Sequence, residues 1–229
     1  MHIQLDKQLL HKNDALKFGI IHYTKITVDE SPQMIKGRTR LYQESLYFDL
    51  ANKNVTDIRG IKEWRETLKA LSADPNRYRH SAESLYRQIA KENFLTPIQS
   101  AVDLNNFFSL QYEIPIGIYD ARKLSSPVTI TLGDEDTMYE ALNGRTVTLR
   151  NMPHCRDTNG AFGSLYVDSK RSATSEQTTE ALQVFYLRPS MDEEEAKELL
   201  TAAGNMFTQV TGGNFNIAIL SNKLLQTTF

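Results

Sequence analysis

The sequence predicts an α+β fold in a single domain spanning residues 1–229, and three observations point there. Apolar residues recur at helical spacing through the first half of the chain. Alternation with a period of two takes over after Pro115. No repeat, low-complexity tract or linker divides the 229 residues, a length that one hydrophobic core can serve.

Each element follows from its own pattern. Leu16 to Val28 is rich in β-formers and reads as a strand, with Leu16, Phe18, Ile20 and His22 on one face. Lys36 to Leu50 reads as a helix, Leu46 and Leu50 standing one turn apart. Ile58, Ile61, Trp64, Leu68 and Leu71 fall on one stripe of a second helix, with Asp57 placed to cap its free amides. Asp74-Pro75-Asn76 breaks that helix. A third is expected from Ser81, burying Ala82, Leu85, Tyr86 and Ile89, and a fourth from Pro97 to about Tyr112.

In the second half, Val128, Ile130 and Leu132 alternate with Thr129 and Thr131, as Thr146-Val147-Thr148-Leu149 does further on. We expect these two strands to be joined by the turn at Asn143-Gly144. Leu182 to Leu187 is a further strand. Ser190-Met191-Asp192-Glu193 has the capping-box form, followed by Ala196, Leu199, Leu200, Ala203 and Phe207 at helical spacing. The acidic run Asp192 to Glu195 then meets the positive end of that helix. Gly212-Gly213 turns the chain into a closing strand, Phe215 to Leu220, so a C-terminal helix and strand occupy about residues 190–221.

Composition narrows the function. Lys and Arg number 26 against 28 Asp and Glu, a formal charge of −2, so any RNA contact must come from local clusters of basic residues. The single cysteine, Cys155, excludes a disulfide framework and a cysteine-based zinc site. The N-terminus lacks the basic start and apolar run of a signal peptide, and no apolar stretch is long enough to span a bilayer; a cytoplasmic protein is expected.

Catalytic signatures are scarce. The chain has no phosphate-binding loop, no G-x-G-x-x-G, no H-E-x-x-H and no G-x-S-x-G. His2, His11, His22, His80 and His154 are scattered, and neither a metal nor another cofactor is expected. His154 and Cys155 have the residue types of a base and a nucleophile, but adjacent residues on an extended segment point to opposite faces and cannot easily reach each other; Cys155 reads as a packing residue. Two segments stand out. In Ala101 to Asp120, Asp103 and Asn106 share a helix face and can bind a ligand or close a helix-end hydrogen-bond network. There too, Gly117 permits close approach of a backbone or substrate, and Asp120 can cap the turn that follows. In Pro153 to Thr174, small, polar and charged residues crowd between strands, as in binding loops and ordinary surface loops alike.

These two segments carry a resemblance. Val102-Asp103, Asn106, Leu110, Pro115-Ile116 and Tyr119-Asp120 fall in one ungapped register that resembles V-D-x-x-N-x-x-x-L-x-x-x-x-P-[LIM]-x-x-[FY]-D. That is the pattern of the editing region, the B3/B4 domain, of the phenylalanyl-tRNA synthetase beta subunit. Arg77-Tyr78-Arg79-His80-Ser81-Ala82-Glu83-Ser84-Leu85 is similar to the R-x-R-x-S-x-E-x-L approach of free-standing members. Arg156-Asp157, Gly160, Phe162-Gly163 and Asp168-Ser169-x-Arg171 are similar to their R-D-x-x-G-x-[FI]-G…D-S-x-R stretch. The resemblance spans about residues 15–190 and includes no synthetase catalytic core.

The resemblance implies a three-layer fold with a central, largely antiparallel sheet, flanking helices and a pocket between them. It implies trans-acting editing, hydrolysis of the ester of a mischarged tRNA, with the acceptor end of that tRNA as partner. The alternative is a non-catalytic amino-acid or tRNA-binding module that kept the fold. Asn106 and Asp168 are the catalytic candidates, and Asn106, Gly117, Asp157, Asp168, Ser169 and Arg171 the substrate-binding ones. Arg77, Arg79 and Arg87, with Arg171, are the phosphate-contacting candidates. Both segments are expected to line one cavity. The synthetase pattern reads P-[LM]-H-A-F-D, and Gly117 stands at its histidine.

Overall fold

The computed structural model describes residues 1–229. In chain order its elements are β1 (His2–Leu5), α1 (Lys7–Lys12), β2 (Phe18–Thr24), α2 (Gln33–Leu50), α3 (Arg59–Ala70), α4 (Ser81–Ile89) and α5 (Ser100–Tyr112). There follow β3 (Ile116–Asp120), β4 (Val128–Leu132), β5 (Met138–Glu140), β6 (Thr146–Thr148), β7 (Pro153–Asp157) and β8 (Gly160–Ser164). The chain closes with β9 (Glu180–Tyr186), α6 (Glu193–Thr211), β10 (Asn214–Leu220) and β11 (Gln226–Thr228). The fold is α+β, as expected.

The central sheet, β10-β2-β9-β3, is antiparallel throughout, with Ile217, Ile21, Gln183 and Ile118 in one cross-strand row. Helices cover one face: Tyr23 stacks on Phe207 of α6 with ring centroids 4.1 Å apart. From α5, the Asn105 amide donates to the Ile116 carbonyl at 2.9 Å. The Gln183 amide donates in turn to Asn105 at 2.9 Å, and the Tyr23 hydroxyl to Gln183 at 2.8 Å. This buried polar chain is fully partnered, which fixes how α5 seats on the sheet. The opposite face meets a second sheet, β11-β1-β4-β7-β8, in which β1 and β4 run parallel and the other pairs antiparallel. Covered on both sides, β2 is buried at every position from Phe18 to Tyr23, which is why it reads as a nearly unbroken apolar run.

Several local expectations are corrected. Val128–Leu132 pairs with β1 and β7, while the Asn143-Gly144 turn joins β5 to β6. Asp57 lies in a short 3₁₀ turn and does not cap α3; that helix receives its cap from Glu113, whose carboxylate accepts the Gly60 amide at 3.0 Å. A Cβ at position 60 would lie 2.2 Å from the Glu113 carbonyl oxygen, so only glycine fits there. The fourth helix starts at Ser100, after Pro97, and α6 is capped by Asp192, which accepts the Glu195 amide at 2.8 Å.

Candidate functional site

The site sits where β3 of the central sheet faces β8 of the outer one. On β3 the alternation turns Gly117 and Tyr119 toward the outer sheet. The Tyr119 ring fills the space that two glycines leave open. A Cβ on Gly117 would stand 2.0 Å from its hydroxyl oxygen, and a Cβ on Gly163 2.3 Å from its ring. The hydroxyl donates to the Asp168 carboxylate at 2.8 Å. Nearby, the Tyr139 hydroxyl bonds to Ser164 Oγ at 2.8 Å and to the Val167 carbonyl, and Tyr186 Oη lies 3.8 Å from Cys155 Sγ.

No cation offsets the Asp168 carboxyl. Although the residue as a whole is half-buried, its acid group is enclosed. Burial pushes it up to about 7, against the opposing pull of the Tyr119 hydrogen bond. Burial also raises the Tyr119 and Tyr186 phenols well above their ordinary value, so both stay neutral and Tyr119 donates to Asp168. The Cys155 thiol is pushed up to about 12 and is inert as a nucleophile. Burial drives His154 down to about 4, with only the Met152 carbonyl near its ring nitrogen at 3.4 Å. A carboxyl that titrates near neutrality in an enclosed setting can accept or return a proton.

Beside this cluster opens a groove of about 490 Å³, lined by Met138, Tyr139, Glu140, Asn159, Gly160, Ala161, Ser169, Lys170 and Arg171. Arg171 grips both Asp157 oxygens, at 3.1 and 2.8 Å, and the Gly160 carbonyl at 2.7 Å, with its guanidinium 5.5 Å from the Phe162 ring centre. Burial alone would raise the Asp157 carboxyl. Arg171 and the Ser125 and Asn159 amides outweigh that and hold it below the usual range. Ser169 Oγ pairs with Ser172 Oγ at 2.9 Å. Ser169 and Arg171, which line the groove, are therefore held from behind, Arg171 by Asp157 and the Gly160 carbonyl and Ser169 by Ser172.

Asn106 does not join them. It lines a separate cavity of about 380 Å³ with Asp103, Gln43 and the Phe94–Pro97 segment, against α2. On α5, Asn105 points to the central sheet, and Asn106, a further 100° around the helix, points elsewhere. The sheet separates Asn106 from Asp168, so the expectation of one cavity lined by both is overturned. Asp103 closes a helix-end network, accepting the Ser31 hydroxyl at 2.5 Å and the Ile98 amide at 2.9 Å. Asp120 caps the following turn, as expected, accepting the Arg122 amide at 3.0 Å.

The family model described as the B3/4 domain matches residues 63–211, a span running from within α3 to the end of α6 and holding the Tyr119–Asp168 cluster and the groove beside it. The chain belongs to the B3/4 domain family. The uncharacterized protein YhzB of Bacillus subtilis is 35% identical over 217 residues, covering 95% of this chain and 98% of its own. A phenylalanine–tRNA ligase beta subunit of Paramagnetospirillum magneticum is 32% identical over 99 residues, 42% of this chain but 12% of that protein. An N-terminal fragment of the phenylalanyl-tRNA synthetase beta subunit from Pyrococcus horikoshii aligns with a TM-score of 0.44 and 11% identity, over 93% of this chain and 49% of that one. No helix is long and apolar enough to cross a membrane.

Within this B3/4 domain the candidate arginines divide into two kinds. Arg87 is committed to Glu83, which is fully buried and held by Arg87 at 2.8 Å and Arg65 at 3.0 Å. Arg77 and Arg79 are exposed. The segment bearing them docks on the loop before Asp168: the Ser81 amide donates to the Leu165 carbonyl at 2.7 Å, and the Tyr78 and Tyr166 rings meet 5.9 Å apart. The sequence pattern includes Tyr119 and Gly163 as motif letters without giving either a task, and leaves out Tyr139. The tight G-x-Y spacing at 117–119 was the available signal for Tyr119; nothing local marks Tyr139.

Proposed function

We propose that this chain is a trans-acting editing hydrolase that cleaves the ester of a mischarged tRNA, with Asp168 as its base. Family membership supports the reading, as does the stretch similar to a protein named for its work on tRNA. The observation that carries it is the enclosed Asp168 carboxyl, titrating near neutrality beside an open groove, with Arg77 and Arg79 on a segment docked to the same loop.

An aminoacyl ester is already activated, so its hydrolysis needs a positioned water and a place for one proton. In this scheme the water oxygen bonds to the carbonyl carbon as Asp168 takes its proton. The ester C–O bond then breaks and the proton passes to the departing ribose oxygen. Tyr119 holds the carboxylate in place by donating to it. The groove receives the amino acid, and Arg77 and Arg79 meet phosphates of the acceptor end.

Purified protein incubated with a panel of mischarged tRNAs should release at least one amino acid. Asp168→Asn should slow that release by about 10²-fold or more. Release at an undiminished rate by a folded Asp168→Asn protein refutes the assignment of the base. A second reading, a non-catalytic amino-acid-binding module, is favoured by one observation: the Tyr119 phenol occupies the gap between Gly117 and Gly163. Thermal stabilisation by a free amino acid, with no release from any tRNA, selects that reading.

A further inference from the structure

Helix α2 buries Ile35, Gln43 and Leu50 and turns a second apolar stripe to solvent. Met34 is 65% exposed, Leu41 69% and Phe48 73%. Seven residues, about two turns, separate each from the next, so they form one line of about 21 Å along the helix. Between them, a Cβ at Gly37 would meet nothing within 4 Å, so a neighbouring backbone can come close. Ile98, 67% exposed, extends the apolar area from the segment whose Phe94, Leu95 and Pro97 face α2 across a cavity. A soluble surface keeps such a run of large apolar side chains where something covers it.

The flanking charges say what covers it. The first half of α2 carries Lys36, Arg38 and Arg40, and the second half Glu44 and Asp49. Arg38 and Asp49 stand eleven residues apart, three turns, on one flank of the stripe; Arg40 and Glu44 share the other. We propose that the outer face of α2 is where two copies of this chain associate, the helices antiparallel and crossing near Leu41. Met34 of one copy then meets Phe48 of the other. Arg38 comes beside the second copy's Asp49, and Glu44 beside its Arg40. A parallel pair would set like charge beside like. The Arg40–Glu44 pair now closes within one helix at 2.9 Å, with side chains 72% and 37% exposed, so its members are free to be shared across the interface. The balanced signs suit a second α2 better than a nucleic acid, which needs one uniformly basic face. One helix face is smaller than the roughly 800 Å² a side of a standard stable interface, so association in the micromolar range is expected.

The full chain suits cysteine cross-linking because its one native thiol, Cys155, is buried. Under mild oxidation Leu41→Cys should form a disulfide-linked dimer by itself. Met34→Cys and Phe48→Cys should cross-link with each other when mixed, and each far less alone. Sedimentation should show a concentration-dependent dimer that Leu41→Glu weakens about tenfold or more. Circular dichroism and thermal unfolding of that variant should match the parent, because position 41 makes no core contact. The proposal is overturned by a monomer throughout the micromolar range, by a dimer that Leu41→Glu leaves intact, or by equal self-cross-linking at positions 34, 41 and 48.

Discussion

Adding a single methyl group at Gly117 should unlatch Tyr119 from Asp168. A Cβ there would stand 2.0 Å from the Tyr119 hydroxyl oxygen and 2.6 Å from the ring carbon that bears it. Gly163 blocks retreat on the other side, where a Cβ would already lie 2.3 Å from the ring. The ring must shift by more than its 2.8 Å hydrogen bond to Asp168 tolerates. Overpacking costs about 1–3 kcal/mol and losing a hydrogen bond to a charged partner about 1.5–3, so Gly117→Ala should destabilise by about 3–5 kcal/mol. For a chain of this length that lowers Tm by about 6–20 °C. Tyr119→Phe alone should cost about 1.5–3 kcal/mol, through the hydrogen bond only. In the double variant that bond can be lost only once and the closest clash is gone. The double should therefore be no less stable than Gly117→Ala, a coupling of about 1.5–3 kcal/mol. Reversible urea unfolding of the four proteins measures it. Additivity within about 0.5 kcal/mol would refute the latch.

Four other outcomes follow from the structure. Asp168 titrates at about 7 when folded against 3.8 ordinarily, so the stability from its neutral form is full below the ordinary value and is lost as pH rises through 7. Wild type should lose stability relative to Asp168→Asn across that window, while amino-acid release, needing the ionised base, should rise across it. Burial drives His80 and His154 down to about 4, so the stability from their neutral forms is present above 6.5 and is lost as pH falls through 4. His80→Gln should flatten the acid limb of an unfolding profile. Glu83→Gln should destabilise by about 3–5 kcal/mol in denaturant, because it strands Arg65 and Arg87 beside a buried amide. By contrast, Arg77→Ala with Arg79→Ala should leave Tm unchanged and reduce the salt dependence of tRNA binding by about one unit per arginine.

What the sequence revealed depended on how local the cause was. The stripe from Ile58 to Leu71 identifies α3 because its periodicity is written within a dozen residues, and Trp64 does land in the core. The hairpin error has the opposite origin. Val128–Leu132 finds its partners in β1, 125 residues earlier, and in β7, and no local pattern encodes a parallel pairing over that distance. In the site, the loop from Asp157 to Arg171 was recognisable as special, but its charges bind each other and the backbone, which composition cannot distinguish from ligand contacts. Asn105 and Asn106 differ by one helical step. Only the packing decides that the first reaches the sheet and the second faces α2.

Cys155 offers a further use of the architecture. It is the chain's one thiol, wholly buried on β7 and directed at Tyr186 of the central sheet. A thiol-reactive probe can reach it only while the two layers are parted. With reclosing faster than labelling, the rate at which such a probe labels native protein, divided by its rate on the unfolded chain, therefore gives the free energy of that separation, and a molecule that clamps the layers together should slow the labelling without touching the sulfur.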